Sequence, residues 1–129
     1  MSDGISFVVE LEVGADRVEE LRSILDEMAA ITERDEPGTL AYEWFLTDDR
    51  SACFIYERYA DSNAAVVHSQ TFPEGLGRRA MAFLPTRLTA YGTVTDDIRT
   101  RRIEPLLAAV PGIQLVTLDP GGGFARSAS

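Results

Sequence analysis

Imidazole, carboxylate and phenol are the side chains that move protons near neutral pH, and one stretch of this chain gathers all three. YERYADSNAAVVHSQTFPEG, Tyr56 to Gly75, holds Glu57, Tyr59 and His68, the only histidine in the sequence. Strand alternation puts Glu57 and Tyr59 on one face, and it puts Tyr42 and Trp44 on one face of the strand before. On the helix that follows, Ala64 and Ala65 lie four and three residues before His68, and Phe72 lies four after it, so all share its face. The two alanines leave space beneath that helix where larger side chains would fill it. A hollow lined by aromatic rings, with one imidazole and one carboxylate, suits a flat phenolic or quinol-like ligand. Imidazole titrates near pH ~6.5 and can take or return a phenolic proton in the cell. Each of these residues also has a bland use. A histidine on a half-buried helix face can be a packing residue, Tyr42 and Trp44 fit a core or a dimer interface, and Glu57 can pair with Arg58 or Arg87 near a sheet edge.

Other chemistries find no support. All 12 basic residues are arginine, so no side-chain amine is present to form a Schiff base. One histidine and one cysteine, Cys53, build no zinc site without several carboxylates, and a lone cysteine forms no internal disulfide. The glycines of PGGGF precede no helix and form no phosphate loop. Ser62 lies on another helical face from His68, and Ser69 is adjacent in sequence, so neither is placed as its nucleophile. A net charge of −9 repels nucleic-acid phosphates and acidic membranes. The alternating, acidic N-terminal stretch reads as neither a signal peptide nor a membrane span, and a cytoplasmic location is expected.

These residues need elements to position them. The chain has 129 residues, of which 45% are hydrophobic and 26% charged. That suits one domain, residues 1–129, with a core over 5–94 and a C-terminal extension over 95–129. Ile5 to Val13 alternates as a strand. Asp16 is expected to cap a helix with Glu19 as its capping-box partner, and Val18, Leu21, Ile24, Leu25, Met28 and Ile31 form the apolar stripe. Pro37 and Gly38 end it. Thr39 to Leu46 and Ser51 to Tyr59 read as an antiparallel hairpin. Leu40, Tyr42, Trp44 and Leu46 are expected on one side, with Ala41 and Phe45 on the other. A sheet apolar on both faces must be covered on both, and a second copy of the chain is the simplest cover for the face its own helices leave open. Asp61 caps the His68 helix. Phe72, Leu76, Ala80, Phe83 and Leu84 continue helical spacing after a break at Pro73. Thr86 to Val94 is a fourth strand, Thr95 caps a further helix restarted or kinked at Pro105, and Ile113 to Leu118 is a fifth strand. The order is that of a ferredoxin-like α+β sheet, βαββαβ, with an added helix and strand.

EPGTLAYEWFL, CFIYERYADSNAAVVHSQTF and LTAYGTV together resemble the antibiotic biosynthesis monooxygenase superfamily of dimeric α+β barrels, over roughly Ile5 to Val94. The tail GGGFAR resembles that of a quinol monooxygenase-like subgroup. The resemblance implies a homodimer whose two sheets form a barrel, with a pocket between sheet and helices in each protomer. It implies oxidation of quinols or related hydroxy-aromatics by molecular oxygen without metal, flavin or haem. Other members degrade haem with a histidine at the position of His68. This chain departs from their pattern, with Ser6 and Val8 near the position of their asparagine and Tyr59 in place of a tryptophan. The expected activity is a cofactor-independent monooxygenase. In it His68 removes the phenolic proton, Tyr42 and Tyr59 bond substrate oxygens, Trp44 walls the site with Phe72 on the histidine's face, and Glu57 orients the imidazole or a tyrosine. Two alternatives stand beside it: a non-catalytic dimer that binds a small aromatic molecule, and a haem-handling protein.

Overall fold

A computed structural model describes residues 4–71, 76, 79–80 and 82–126. Five strands form one sheet: β1 (Ile5–Glu12), β2 (Thr39–Leu46), β3 (Ala52–Tyr59), β4 (Pro85–Tyr91) and β5 (Gln114–Leu118). Their order is β2-β3-β1-β4-β5. The first four are antiparallel neighbours in ferredoxin-like order, and β5 adds to β4 in parallel. Helix α1 (Val18–Asp35) joins β1 to β2, and α2 (Ser62–Thr71) follows β3. A further helical segment, α3, links β4 to β5. It comprises α-helical Asp96–Ile98, a π-helical turn at Arg99–Ile103 and α-helical Glu104–Ala109. The expected α+β architecture and its C-terminal helix and strand are thus present. Among the described residues no helix is long and apolar enough to cross a membrane.

Alternation along the strands decides which residues face the helices. Ile5, Phe7 and Leu11 of β1, Cys53, Ile55, Glu57 and Tyr59 of β3, and Leu88 and Ala90 of β4 are buried on that face. Two apolar clusters form there. One lies under α1, around Leu21, Ile24, Leu25, Cys53 and Ile55. The other joins Ile5, Phe7 and Tyr59 to Ala65 of α2 and to Ile98 and Ile103 of α3. The opposite face carries Val8, Phe54 and Tyr56, all half-buried, and Phe45, which is exposed. Phe45 pairs with Phe54, and Tyr56 with Val8, so these groups are contiguous.

Four expectations need correction. Asp16 caps no helix: a 3-10 turn at Ala15–Arg17 precedes α1, and Arg17 at the cap position makes no side-chain cap bond. The turn places the Asp16 carboxylate one residue too early, and Glu19 pairs instead with Arg22 at 3.4 Å. Leu40 does not share the Tyr42 face, because the β2–β3 register shifts between Thr39 and Ala41 and the bulged Leu40 is 56% exposed. Strand β4 stops at Tyr91 rather than Val94. Gly92 adopts φ 125° there, and its N–H donates to Leu118 O at 2.9 Å. Phe83 lies in a turn and Leu84 directly after it, neither on a helix, and Leu84 takes φ 44°. Phe72 lies outside the described residues.

Other local signals act as their chemistry dictates. Asp61 Oδ1 accepts the Ala64 N–H at 2.8 Å and so starts α2. Thr95 Oγ1 accepts the Ile98 N–H at 3.3 Å. Pro105 has no N–H to continue an α-helical ladder. The Glu104 N–H reaches back to Arg99 O, five residues away, and the helix restarts with Pro105 in its first turn.

Candidate functional site

His68 sits two turns into α2 and points at the sheet, with 4% of its surface exposed. Its approach to the sheet depends on small residues. Gly38, at the entry to β2, packs so closely on α2 that a Cβ there would lie 2.7 Å from Ala64 Cβ. Its carbonyl accepts the Ala60 N–H at 2.9 Å, tying the start of α2 to the turn after α1. That turn delivers Glu36. The Glu36 backbone N–H closes α1 on Thr32 O at 2.9 Å, and its side chain lies under α2, buried. Glu36 Oε1 is 2.9 Å from His68 Nδ1 and accepts the Thr39 hydroxyl at 2.9 Å. A carboxylate accepts, so Nδ1 is the donor of this pair.

Nε2 faces the second carboxylate, Glu57 Oε1, at 3.6 Å. Glu57 in turn accepts hydrogen bonds from the Tyr59 hydroxyl and from Arg102 Nη2. Arg102 also donates from Nη1 to the Tyr59 hydroxyl at 2.8 Å and to Ala65 O at 3.0 Å. Its guanidinium lies 4.6 Å from the Phe7 ring centroid and 5.0 Å from that of Tyr59. The His68 ring is flanked by Tyr42, at 5.4 Å, and by Tyr59, at 5.6 Å.

The electrostatics follow from this packing. Burial alone would push the Glu57 carboxyl up, but the Arg102 guanidinium and then His68 outweigh it, and the carboxyl lies below its ordinary value. Burial, and then the Glu57 charge, push both the Tyr42 and the Tyr59 phenols far above the usual tyrosine range. Neither phenol ionises in water at any ordinary pH; both are hydrogen-bonding groups. Burial works against the Arg102 charge, yet Glu57 and Tyr59 raise it overall, so Arg102 stays cationic.

Four of the residues singled out by sequence therefore converge: His68, Glu57, Tyr59 and Tyr42. Trp44 lies on the Tyr42 face but farther along β2, packed against the α1 cluster with Arg22 5.4 Å from its ring. The Tyr42 hydroxyl is 3.9 Å from Met28 Sδ. Two members were not anticipated, Glu36 and Arg102. Each left a signal in the sequence. An acid just past a helix C-terminus opposes the helix dipole and needs a reason to be there. Arg102 lies four residues after Ile98 and four before Leu106, a cation on an apolar stripe.

The hollow expected beneath Ala64 and Ala65 is filled. Gly38 takes the space beside Ala64, and Arg102 reaches Ala65 from α3. Two cavities lie elsewhere among the described residues. One, of about 1070 Å³, opens between Gly14, Arg17, Phe83 and Val110. The other, of about 210 Å³, lies between Asp35, Gly38, Asp61 and Asn63, with Glu36 on its wall. Around His68 stands a buried cluster of two carboxylates, a guanidinium, an imidazole and two phenols, able to exchange protons and to hold a polar oxygen.

Residues 4–73 match the model of the family described as antibiotic biosynthesis monooxygenase. No curated protein matches the chain by sequence. Among solved structures, MupZ from Pseudomonas fluorescens is 15% identical with a TM-score of 0.73, covering 97% of this chain and 96% of its own. Rv0793 from Mycobacterium tuberculosis is 26% identical with a TM-score of 0.55, covering 72% of this chain and 97% of its own. SnoaB from Streptomyces nogalater, a cofactor-independent oxygenase solved as its N63A mutant, is 22% identical with a TM-score of 0.52. That match covers 69% of this chain and 89% of SnoaB.

Proposed function

The chain belongs to the antibiotic biosynthesis monooxygenase family, and on that premise we propose that it oxidises a quinol or related hydroxy-aromatic with molecular oxygen at His68. The observation that carries this reading is the pairing of His68 Nδ1 with the buried Glu36 carboxylate at 2.9 Å, which orients the ring so that Nε2 faces Glu57. A phenolic substrate gives its proton to Nε2. The ring anion passes one electron to dioxygen, and the radical pair collapses to a C–O bond at a C–H position of the ring, ortho to the oxygen in a 1,4-quinol and ortho or para in other hydroxy-aromatics. The resulting hydroperoxide loses water as His68 returns its proton. One oxygen atom ends in the product carbonyl and the other in water, so the substrate and dioxygen balance the reaction between them. Glu57 and Tyr59 hold a substrate oxygen or the developing anion, while Tyr42 stacks beside the ring. His68 is 4% exposed, so binding proceeds with side-chain displacement around Nε2.

The same reading includes a single domain and a homodimer. The support for pairing is the open sheet face, where Phe45, Phe54, Tyr56 and Val8 form a contiguous apolar area that no helix among the described residues covers. Sedimentation is expected to give twice the chain mass, and a monomer would remove this part of the reading.

An oxygen electrode with a panel of benzenediols and naphthalenediols tests the chemistry. Oxygen uptake that falls strongly in His68→Ala is expected, and an unchanged rate would remove His68 from the mechanism. A cavity of about 1070 Å³ beside Phe83 and Val110, away from His68, favours a second reading, a dimer that binds small aromatics without transforming them. Saturable binding with no oxygen uptake across the panel would establish that alternative.

A further inference from the structure

The cavity of about 1070 Å³ lies at the other end of the sheet from His68. Glu12 and Ala52 on its wall pair with each other, five positions along the strands from the Phe7–Glu57 pair beside the imidazole. At about 3.3 Å per residue the two places are roughly 17 Å apart. The extension helps to build the cavity: Val110, just past α3, lines it together with Val13 and Phe83, and all three are buried. A volume of that order with a chiefly apolar lining and a few polar groups suits a small molecule.

The polar groups of the lining select the kind of molecule. The Arg17 guanidinium lies over the Phe83 ring at 4.1 Å, and its edge donates twice to Glu20, at 3.2 and 3.4 Å. The side chain is still 41% exposed, so the guanidinium face opposite Phe83 is accessible. With Glu20 on its edge and Glu12 on the cavity wall, the charge of Arg17 is already compensated, and an anionic ligand would meet a further carboxylate. An electron-rich ring laid on the open guanidinium face gains a cation–π contact instead. Two hydroxyls line the cavity among the described residues, and both have their protons engaged. Ser51 donates to Asp49 Oδ1 at 2.7 Å, and Thr86 donates to Glu10 O at 3.2 Å. Each therefore offers a lone pair to a ligand O–H. We propose that this cavity binds an uncharged hydroxy-aromatic, with its ring on Arg17 and its O–H donated to Ser51 or Thr86. This goes beyond the chemistry at His68 and gives the non-transforming reading a place and a ligand class. Binding here and oxygen uptake at His68 are measured separately, so each can fail alone.

Three probes with the same rings separate donor and charge at pH 7: 1-naphthol, uncharged with an O–H; 1-methoxynaphthalene, which lacks the donor; and 1-naphthoate, an anion. Each is titrated into 15N-labelled protein and followed by amide shifts. 1-Naphthol is expected to move the signals of Gly14, Val110 and Gly112 saturably and to leave those of Glu57 and Ala65 in place. The other two probes are expected to bind at least three-fold more weakly. A cation–π contact at an exposed arginine is worth roughly a two- to five-fold change in affinity, so Arg17→Gln is expected to raise the 1-naphthol Kd by that factor. The variant is expected to fold, because the Arg17–Glu20 ion pair lies at the surface. Four results would each overturn the proposal: no movement at Gly14, Val110 and Gly112 up to the solubility limit of 1-naphthol; shifts confined to Glu57 and Ala65; either other probe binding as tightly as 1-naphthol; or an unchanged Kd in Arg17→Gln.

Discussion

Replacing Glu36 by glutamine is the sharpest perturbation the site allows. The side chain keeps its shape, Thr39 keeps an acceptor at 2.9 Å, and the charge facing His68 Nδ1 at 2.9 Å is removed. A hydrogen bond to an ionised partner contributes about 1.5–3 kcal/mol and a neutral one about 0.5–1.5 kcal/mol, so the exchange removes about 1–2 kcal/mol. If His68 accepts the substrate proton, the Glu36 charge stabilises the imidazolium formed in that step. The same 1–2 kcal/mol then becomes a loss of roughly 5- to 30-fold in kcat/KM. Stability responds more weakly. Removing a buried carboxylate also relieves its desolvation, which works in the opposite direction. With a urea dependence of about 1–3 kcal/mol per molar, the midpoint should fall by no more than roughly 1 M. Oxygen uptake and urea unfolding on the same preparations separate the two effects. A Glu36→Gln protein with the parent kcat/KM would refute the argument that Glu36 supports proton transfer at His68.

Other outcomes follow from particular contacts. The Glu57 carboxyl is depressed in the folded state, so its contribution is present above the unfolded carboxyl value of about 4.3 and disappears as pH falls through the lower folded value. Urea midpoints should therefore drop below about pH 4, and Glu57→Gln should flatten that acid limb; an equal slope in both proteins would contradict the assignment. Gly38→Ala pushes a methyl against Ala64 and should cost about 1–3 kcal/mol, whereas Gly112→Ala meets nothing within 4 Å and should stay within about 0.5 kcal/mol in urea melts. Cys53 is fully buried and its thiol is pushed up to about 11, chiefly by burial. A thiol reagent at pH 8 should label it only after unfolding, and rapid labelling of the native protein would contradict the packing under α1.

The strands and caps were legible because their causes are local. Alternation in Ile5–Glu12 and Ala52–Tyr59 follows from the two-residue period of a pleated strand, and the hydroxyl of Thr95 or carboxylate of Asp61 finds its N–H within three residues. Errors arose where a second chain segment intervenes. The Leu40 bulge is a property of how β2 pairs with β3, and the end of β4 depends on the Leu118 carbonyl meeting Gly92. The filled space under Ala65 is of the same kind, since the side chain that fills it comes from 37 residues away.

Residue types alone placed an imidazole, a carboxylate and a phenol within one stretch, Glu57 to His68, showed no lysine for amine chemistry, and marked the sheet as apolar on both faces. Those facts depend on identity and on periods of two or about four residues. Tertiary structure decided which carboxylate meets which imidazole nitrogen: Glu36 from the end of α1 takes Nδ1, while Glu57 is held by Arg102 from the extension. Sequence carries no distance between positions 36, 57, 68 and 102. A charge acts through distance and burial, and only the folded chain sets both.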